Sequence, residues 1–446
     1  MSTSTTSSPT ARTPGTRSTP PRPQPGSPPE TTGLPDSHLP YPPHALLEGI
    51  MTVTEPVTDI ESAHDVLERV RTLVPFLREN AAETEALRQV PEKNIDALAA
   101  AGLFRLTLPR TRGGFEAPVA LQNDILAEVA RGCPSTGWVC TLITAMNWMI
   151  NLFPDQAQED IYATPGVRAA GVFAPTGKGK RQDGGIVVSG RWAFNTGAAN
   201  AHWAGLTAMV EDEDGGVAPQ FLMIPYSELD FEDDWYACGL SGTGSRTTVA
   251  REVFVPGHRA LPVQNLATGN YPGSTASAEN PYFRTPGIAL FLAASAGPPI
   301  GIARGALDVF LERLPGRTIT YTDYASQSEA PITHHQVAEA TLKLFSAEAH
   351  STRAAALIDG NLGKPLSLPD RAEIRGHLGH ATKLCREVVD VLFQASGASA
   401  IQNSVPIQRY HRDMQSLSLH ALMQPNTNTE LYGRVLLGLD PNTNTI

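Results

Sequence analysis

The hydrophobic period of this chain changes twice along its length, and that switch constrains the fold more than any other feature. From Ser62 to Gly132 apolar side chains recur at helical spacing, first as Val66, Val70, Leu73 and Leu77, then as Ile95, Leu98, Leu103 and Phe104. From Arg168 to about Leu261 the period falls to two, with Gly-rich turns between short runs. One such run is Ile186-Val187-Val188-Ser189 after the turn Asp183-Gly184-Gly185. Past residue 285 the helical period returns and lasts to the end. Helices, then strands, then helices specify an α+β chain with a central sheet of six to eight strands. The expected domains are a tail over 1–50, an α-helical domain over 51–167, a β domain over 168–285 and a four-helix bundle over 286–446.

Composition narrows the classes. The tail is Pro, Ser, Thr and Gly with almost no large apolar side chain, so it cannot offset its ordering entropy and is expected to be disordered. Net charge is −11, from 34 basic and 45 acidic residues, which argues against nucleic acid or an anionic membrane as partner. No run of about 18 apolar residues predicts a transmembrane helix, and no basic-then-apolar leader opens the chain. Cys133, Cys140, Cys238 and Cys385 lack C-x-x-C spacing and suit buried thiols in a reducing cytoplasm.

The helices predicted after the sheet are Ala289 to Leu314, His335 to Asn361, Pro369 to Ser396, about Pro406 to Leu422 and about Thr429 to Leu437, with 265–285 as a loop. Before the sheet, a helix opened by Ser135-Thr136-Gly137-Trp138 carries Asn147, a polar residue in an apolar run that faces a partner or a pocket. In Gly190-Arg191-Trp192-Ala193-Phe194-Asn195-Thr196-Gly197 the aromatic pair Trp192 and Phe194 alternates, which predicts one shared face, and Thr196-Gly197 ends the strand. A hydroxyl beside a Gly backbone can lie against a flat heteroaromatic ring; the plainer alternative is a core strand with a Gly turn.

Other motifs exclude more than they assign. Gly239 to Ser245 is rich in Gly and hydroxyls, but a strand follows it, so it is not a phosphate loop. It remains a candidate for holding part of a cofactor. Glu373, His377 and His380 share helical spacing, yet no second set stands on another helix, so no metal site is expected. No Gly-x-Ser-x-Gly elbow supports a hydrolase. The repeated Pro-Asn-Thr-Asn-Thr at 425 and 441 reads as two helix-terminating turns.

Several stretches together resemble the acyl-CoA dehydrogenase superfamily, over roughly residues 60–440. Ser189 to Gly197 looks like its flavin-facing strand and loop. Gly239 to Ser245 with Val253-Phe254-Val255-Pro256 looks like its second flavin loop and strand. Ala395-Ser396-Gly397-Ala398 and Arg409-Tyr410-His411-Arg412-Asp413 look like bundle motifs near the flavin tail. Many dehydrogenases of that superfamily carry a catalytic Glu shortly after the Arg-Asp pair; here the chain runs from Arg412-Asp413 to His420-Ala421. That His, with Cys133-Pro134-Ser135-Thr136-Gly137-Trp138 and Asn147-Trp148, is similar to the oxygenase components of two-component flavin monooxygenases.

The resemblance implies reduced FMN or FAD delivered by a separate reductase, O2 as cosubstrate, a flavin hydroperoxide, and a small organic substrate, aromatic or polyketide, of secondary metabolism. It implies a homotetramer. It assigns Trp192, Thr196, Gly197, Ser241, Thr243, Ser245, Arg317, Ser396 and Ala398 to the flavin, with Arg317 on its phosphate and Thr196 near its reactive nitrogen. It places His420, Asn147 and Thr196 in the chemistry, with His420 as base or as hydroperoxide ligand; a helix-capping His is the alternative. Met146, Trp148 and Phe173 face the substrate. Phenol hydroxylases of the group often have His where this chain has Met146, and some have Ser in the strand that here reads Gly171-Val172-Phe173-Ala174. That disfavours a simple monophenol. An amine N-oxygenase, an acyl-CoA dehydrogenase and a non-catalytic flavin-fold protein are the rivals.

Overall fold

The computed structural model describes residues 60–443 and 446; the expectation of a disordered tail falls outside them. Helix α1 (Ala63–Glu79) starts where Ser62 and Asp65 form a capping box, the Ser62 Oγ accepting the Asp65 N–H and the Asp65 carboxylate accepting the Ser62 N–H. It buries Val66, Val70, Val74 and Leu77. The short helices α2 (Ala81–Leu87) and α3 (Glu92–Ala100) follow, and Gly102, at φ +87°, turns the chain after α3. Then come α4 (Val119–Gly132), α5 (Pro134–Ile150) and α6 (Asp155–Tyr162). Every residue of α5 is buried, as expected of a helix apolar on all sides. Gly137 lets α5 approach α4: a Cβ there would stand 2.4 Å from the Ala130 Cβ.

The sheet is one layer of seven strands: β1 (Ala169–Gln182), β2 (Gly185–Trp192), β3 (Trp203–Glu211), β4 (Val217–Pro225), β5 (Asp230–Phe231), β6 (Thr248–Pro256) and β7 (Ala260–Pro262). Their order is β5-β6-β2-β1-β3-β4-β7, antiparallel except for the parallel pair β1 and β3. The β1 register slips between Val172 and Gly177, opposite Leu206 and Ala208, so Phe173 to Thr176 bulge out of the ladder. One sheet face is covered by its own apolar cluster, including Ile186, Val188, Trp192, Leu206 and Val255.

The interval 265–285 is not a plain loop: α7 (Val263–Thr268) and α8 (Thr275–Glu279) occupy parts of it. The predicted helix from Ala289 to Leu314 is two helices, α9 (Gly287–Ala293) and α10 (Gly297–Arg313), parted where Pro298 and Pro299 begin the second. This stretch is long and apolar enough in composition to cross a membrane, and its most apolar 18-residue window is 89% buried within the fold. The long helices α11 (Pro331–Asp359) and α12 (Leu368–Ala395) pack along each other and on α10. Helix α13 (Ile407–Leu417) stops earlier than predicted, so His420 stands in the turn beyond it. The first Pro-Asn-Thr-Asn-Thr starts a helix instead of ending one: α14 (Pro425–Leu436) has Pro425 in its first turn, and Gln424 caps the Thr427 N–H.

Candidate active site

Strand β2 ends at Trp192, and the chain then turns sharply, with Phe194 at φ +60°. Trp192 and Phe194 therefore do not share a face: Trp192 is 0% exposed and Phe194 is 72% exposed. The Trp192 indole lies over Gly177 and Gly190, where any side chain would collide with it, and its N–H donates to the Thr207 carbonyl at 2.7 Å. Enclosed there, it cannot flank a cofactor ring, which corrects the expectation for this residue.

The turn instead delivers Thr196 and Gly197 to the loop 239–246. Thr196 Oγ1 lies 2.7 Å from Ser245 Oγ, and Ser245 Oγ lies 2.7 Å from Thr243 Oγ1. Thr243 Oγ1 donates to the Leu240 carbonyl at 2.8 Å. A hydroxyl has one proton, so these bonds fix a direction. With the Thr243 proton on Leu240, Ser245 must donate to Thr243 and Thr196 must donate to Ser245. Thr196 is left with lone pairs only. All three hydroxyls are buried, and nearby Asn195 Oδ1 is buried without a hydrogen-bond partner. The backbone reinforces the join, with Gly197 N–H on the Thr243 carbonyl and Asn195 N–H on the Arg246 carbonyl, each at 3.3 Å.

The loop is held from below by elements far away in sequence. Leu240, at φ +51°, gives its N–H to Asp413 Oδ1 at 2.6 Å. Burial pushes the Asp413 carboxyl up to about 7, against the Leu240 bond that favours its charge. Trp235 Nε1 donates to the Leu240 and Ser241 carbonyls. Arg412 Nη1 donates to the Cys238 carbonyl, while Arg409 and Arg412 both pair with Glu85 of α2. Burial raises the Glu85 pKa, but the hydrogen bonds from those two arginines outweigh it and hold the group below its ordinary value. Gly242 fits against Thr84 and Ser135, so the loop also touches the start of α5. Ser241 reaches only the Glu85 carbonyl, at 3.5 Å, and stands outside the hydroxyl chain.

His420 stands edge-on to Trp138 of α5, ring centroids 5.1 Å apart. Its Nδ1 accepts the Leu422 N–H at 3.3 Å, so the neutral ring carries its proton on Nε2. Burial lowers its pKa to about 4, which keeps it neutral near pH 7. The turn, not a helix, positions it: its carbonyl accepts the Met423 and Gln424 N–H groups.

Asn147 is not free to act on a substrate. Its Oδ1 accepts the Ala169 N–H at 3.1 Å, and its Nδ2 donates to the Phe104 and Val167 carbonyls. It fastens α5 to the chain entering β1, a structural clamp. Trp148 is a core residue at 0% exposure, with its ring stacked on Phe283. Met146 places its Cε over Gly171 and Gly205 of the sheet. Phe173, in the β1 bulge, is half-buried between Phe221 and Phe291, both centroids 5.4 Å away.

Arg317 and Ser396 are brought together elsewhere, at the C-terminal end of α12. Arg317 donates to the Ser396 carbonyl at 2.7 Å, and Gln327 donates to the Ala395 carbonyl. Both bonds cap the helix end, where cations are favoured. Ala398 opens the next turn. Among the described residues no hydrogen bond links this group to Thr196, Thr243 or Ser245. Nor do the described residues contain a group of three or more His, Cys, Asp or Glu able to hold a metal.

Sequence reasoning missed Asp413, Trp235 and Glu85 as site residues. The Arg412-Asp413 pair was the available signal; Glu85 pairs with arginines far away in sequence, and Trp235 bonds backbone carbonyls five and six residues on, which no side-chain motif marks.

Two family models match the chain, "Acyl-CoA dehydrogenase, N-terminal domain" over residues 61–169 and "Acyl-CoA dehydrogenase, C-terminal domain" over 293–425. The oxygenase subunit HsaA, a flavin-dependent monooxygenase of Rhodococcus jostii RHA1, is 34% identical over 85% of this chain and 100% of its own length. The oxygenase component of the FADH2-dependent resorcinol hydroxylase of Rhizobium sp. MTP-10005 is 32% identical, over 84% of this chain and 94% of that protein. Among solved structures, 3-HSA hydroxylase from Rhodococcus sp. RHA1 superposes with a TM-score of 0.79 at 34% identity, covering 86% of this chain and 98% of that one. XiaF from Streptomyces sp., in complex with FADH2 and glycerol, gives 0.80 at 30% identity over the same shares. With helices, sheet and helices in the order of that superfamily, this chain belongs to the acyl-CoA dehydrogenase-like, two-component flavin-dependent monooxygenases, as an oxygenase component that works with reduced flavin.

Proposed function

We propose that the chain hydroxylates an aromatic substrate, phenolic and larger than a simple monophenol, as one step of secondary metabolism. The observation that carries this reading is the directed chain of buried hydroxyls ending at Thr196. Its free lone pairs suit the ring N5–H, which reduced flavin offers and oxidised flavin, whose N5 is a bare acceptor, does not. The residues therefore fit the cofactor. Bound reduced flavin supplies the electrons that activate O2. Thr196 would accept from the ring N5–H, Ser245 and Thr243 keep its hydroxyl oriented, and Gly197 would permit close approach. Ser241 edges the same loop. Asp413 fixes the loop through Leu240. His420, with its proton on Nε2, would donate a hydrogen bond toward the oxygen or the substrate, since its Nδ1 is taken by the Leu422 N–H and is not free to act as a base. Arg317, Ser396 and Ala398 would meet the distal phosphate end of the flavin, FMN or FAD.

The substrate wall supports the aromatic assignment. Phe173, half-buried beside the core residues Phe221 and Phe291, with Met146 nearby in the same core, gives this region apolar side chains and no polar group to orient a single phenol hydroxyl. The names of the relatives point the same way, since resorcinol and p-hydroxyphenylacetate are aromatic. A closed apolar pocket also keeps water from the activated oxygen.

The subunit naming of the relatives implies a separate flavin reductase, and we infer delivery of flavin by diffusion. We also infer a homotetramer in the cytoplasm, with Ile332, Leu342 and Phe345 on the outer side of α11 as apolar surface for a second copy. The test is a reductase-coupled assay with monocyclic and polycyclic phenols beside matching aryl amines. Hydroxylation of the larger phenols supports the reading, oxidation of the amines alone replaces it with N-oxygenation, and turnover of neither removes it.

A further inference from the structure

A cavity of about 550 Å³ opens between the turn after α3 and the segment joining α6 to β1, apart from the hydroxyl chain. Its walls include Arg105, Arg112 and Arg168 and no acidic residue, in a chain whose net charge is −11. Arg112 rests its guanidinium 4.2 Å above the Tyr162 ring, and Arg105 lies 4.5 Å above the Phe115 ring while its Nε donates to the Gly113 carbonyl. Among the described residues neither makes an ion pair. Arg168 Nε donates to the Asn200 carbonyl, and among the described residues its one acidic contact is Glu92 at 3.3 Å, a largely exposed carboxylate outside the lining. Three like charges around one concavity repel each other unless an anion enters.

The wall is built, not incidental. Asn147 ties the Phe104 and Val167 carbonyls of the lining to α5. Trp203 of β3 donates its indole N–H to Thr164, and the Arg168 N–H donates to His202 Nδ1. Between the cations the lining mixes the hydroxyls of Thr111 and Thr164 with apolar side chains, Phe104, Leu108 and Val167 among them. The volume falls within the range of small-molecule sites.

We propose that this cavity binds a small organic anion, a carboxylate or phosphate ester on a compact apolar body, held by Arg105, Arg112 and Arg168. Guanidinium forks match either oxyanion, and Phe104 with its apolar neighbours takes the body. The site is separate from the flavin reading and stands or falls without it.

The test is calorimetry on the full chain with benzoate, phenyl phosphate and the neutral isostere benzamide. Both anions are expected to bind and benzamide not to; the ratio of the two anions tells carboxylate from phosphate. The double variant Arg105→Gln/Arg112→Gln should weaken binding roughly tenfold or more. Arg105→Lys/Arg112→Lys, which retains the charge, should lose less and controls for folding. If neither anion binds, if benzamide binds as well as benzoate, or if the Gln variant binds unchanged, the proposal is wrong.

Discussion

Removing Ser245 Oγ should change which redox state of flavin the protein prefers. In the wild type Thr196 must donate to Ser245, because the Thr243 proton is already on the Leu240 carbonyl. Ser245→Ala leaves the Thr196 hydroxyl proton without an acceptor in a buried place. Two hydrogen bonds are lost, to Thr196 and to Thr243, each worth about 1 kcal/mol net, so the apo protein should be about 2 kcal/mol less stable. The freed proton can then turn toward a ring nitrogen that accepts, as in oxidised flavin. We expect the affinity ratio of reduced to oxidised flavin to fall about tenfold, the equivalent of about 1.4 kcal/mol. Thr196→Val should lower affinity for reduced flavin and leave no such inversion. Anaerobic fluorescence titration of each redox state measures both. An unchanged ratio in Ser245→Ala, with reduced-flavin binding still sensitive to Thr196→Val, refutes the orientation argument while leaving Thr196 at the ring; insensitivity of both variants refutes the placement itself.

Asn147→Ala should cost roughly 2–4 kcal/mol in urea unfolding, since it breaks a buried clamp of three hydrogen bonds, yet leave flavin affinity of the folded fraction unaltered; lost affinity without lost stability would restore a catalytic role. His420 binds its proton near pH 4 when folded and near 6.5 when unfolded, so its share of stability is present above 6.5 and disappears as pH falls toward 4. Between pH 7 and 4 that share is about 3 kcal/mol, and His420→Gln should flatten this part of the stability profile. Asp413 has the opposite sign: its raised pKa of about 7 makes its contribution greatest below 3.8 and lost as pH rises through 7. Asp413→Asn, which keeps an acceptor for Leu240, should remove that alkaline decline in thermal unfolding midpoint.

The period switches told the order of helices, sheet and helices, because amphipathic spacing is local. The run Thr248 to Pro256 and the segment Asp155 to Tyr162 were legible for the same reason. What failed depended on partners elsewhere. Trp192 looked ready for a ring, and only the glycines at 177 and 190 on neighbouring strand positions show that its indole is enclosed. Asn147 in an apolar helix read as functional, but its three partners are backbone groups from two other segments. The end of α13 before His420 was masked by Leu417, Leu419 and Leu422, which continue the apolar spacing past the true helix end. The hydroxyls of Thr196, Thr243 and Ser245 were each nominated, while their single network, and its direction, needed the loop conformation that Leu240 adopts at positive φ.

The most direct measurement of the central claim uses isotopically labelled O2. The protein, loaded anaerobically with chemically reduced flavin, is mixed with labelled O2 and a polycyclic phenol, and the product is analysed by mass spectrometry. The account predicts a hydroxylated product carrying one labelled oxygen atom, with little peroxide. Label found only in peroxide and water for every aromatic substrate, or dye reduction driven by an acyl-CoA in place of oxygenation, would contradict it.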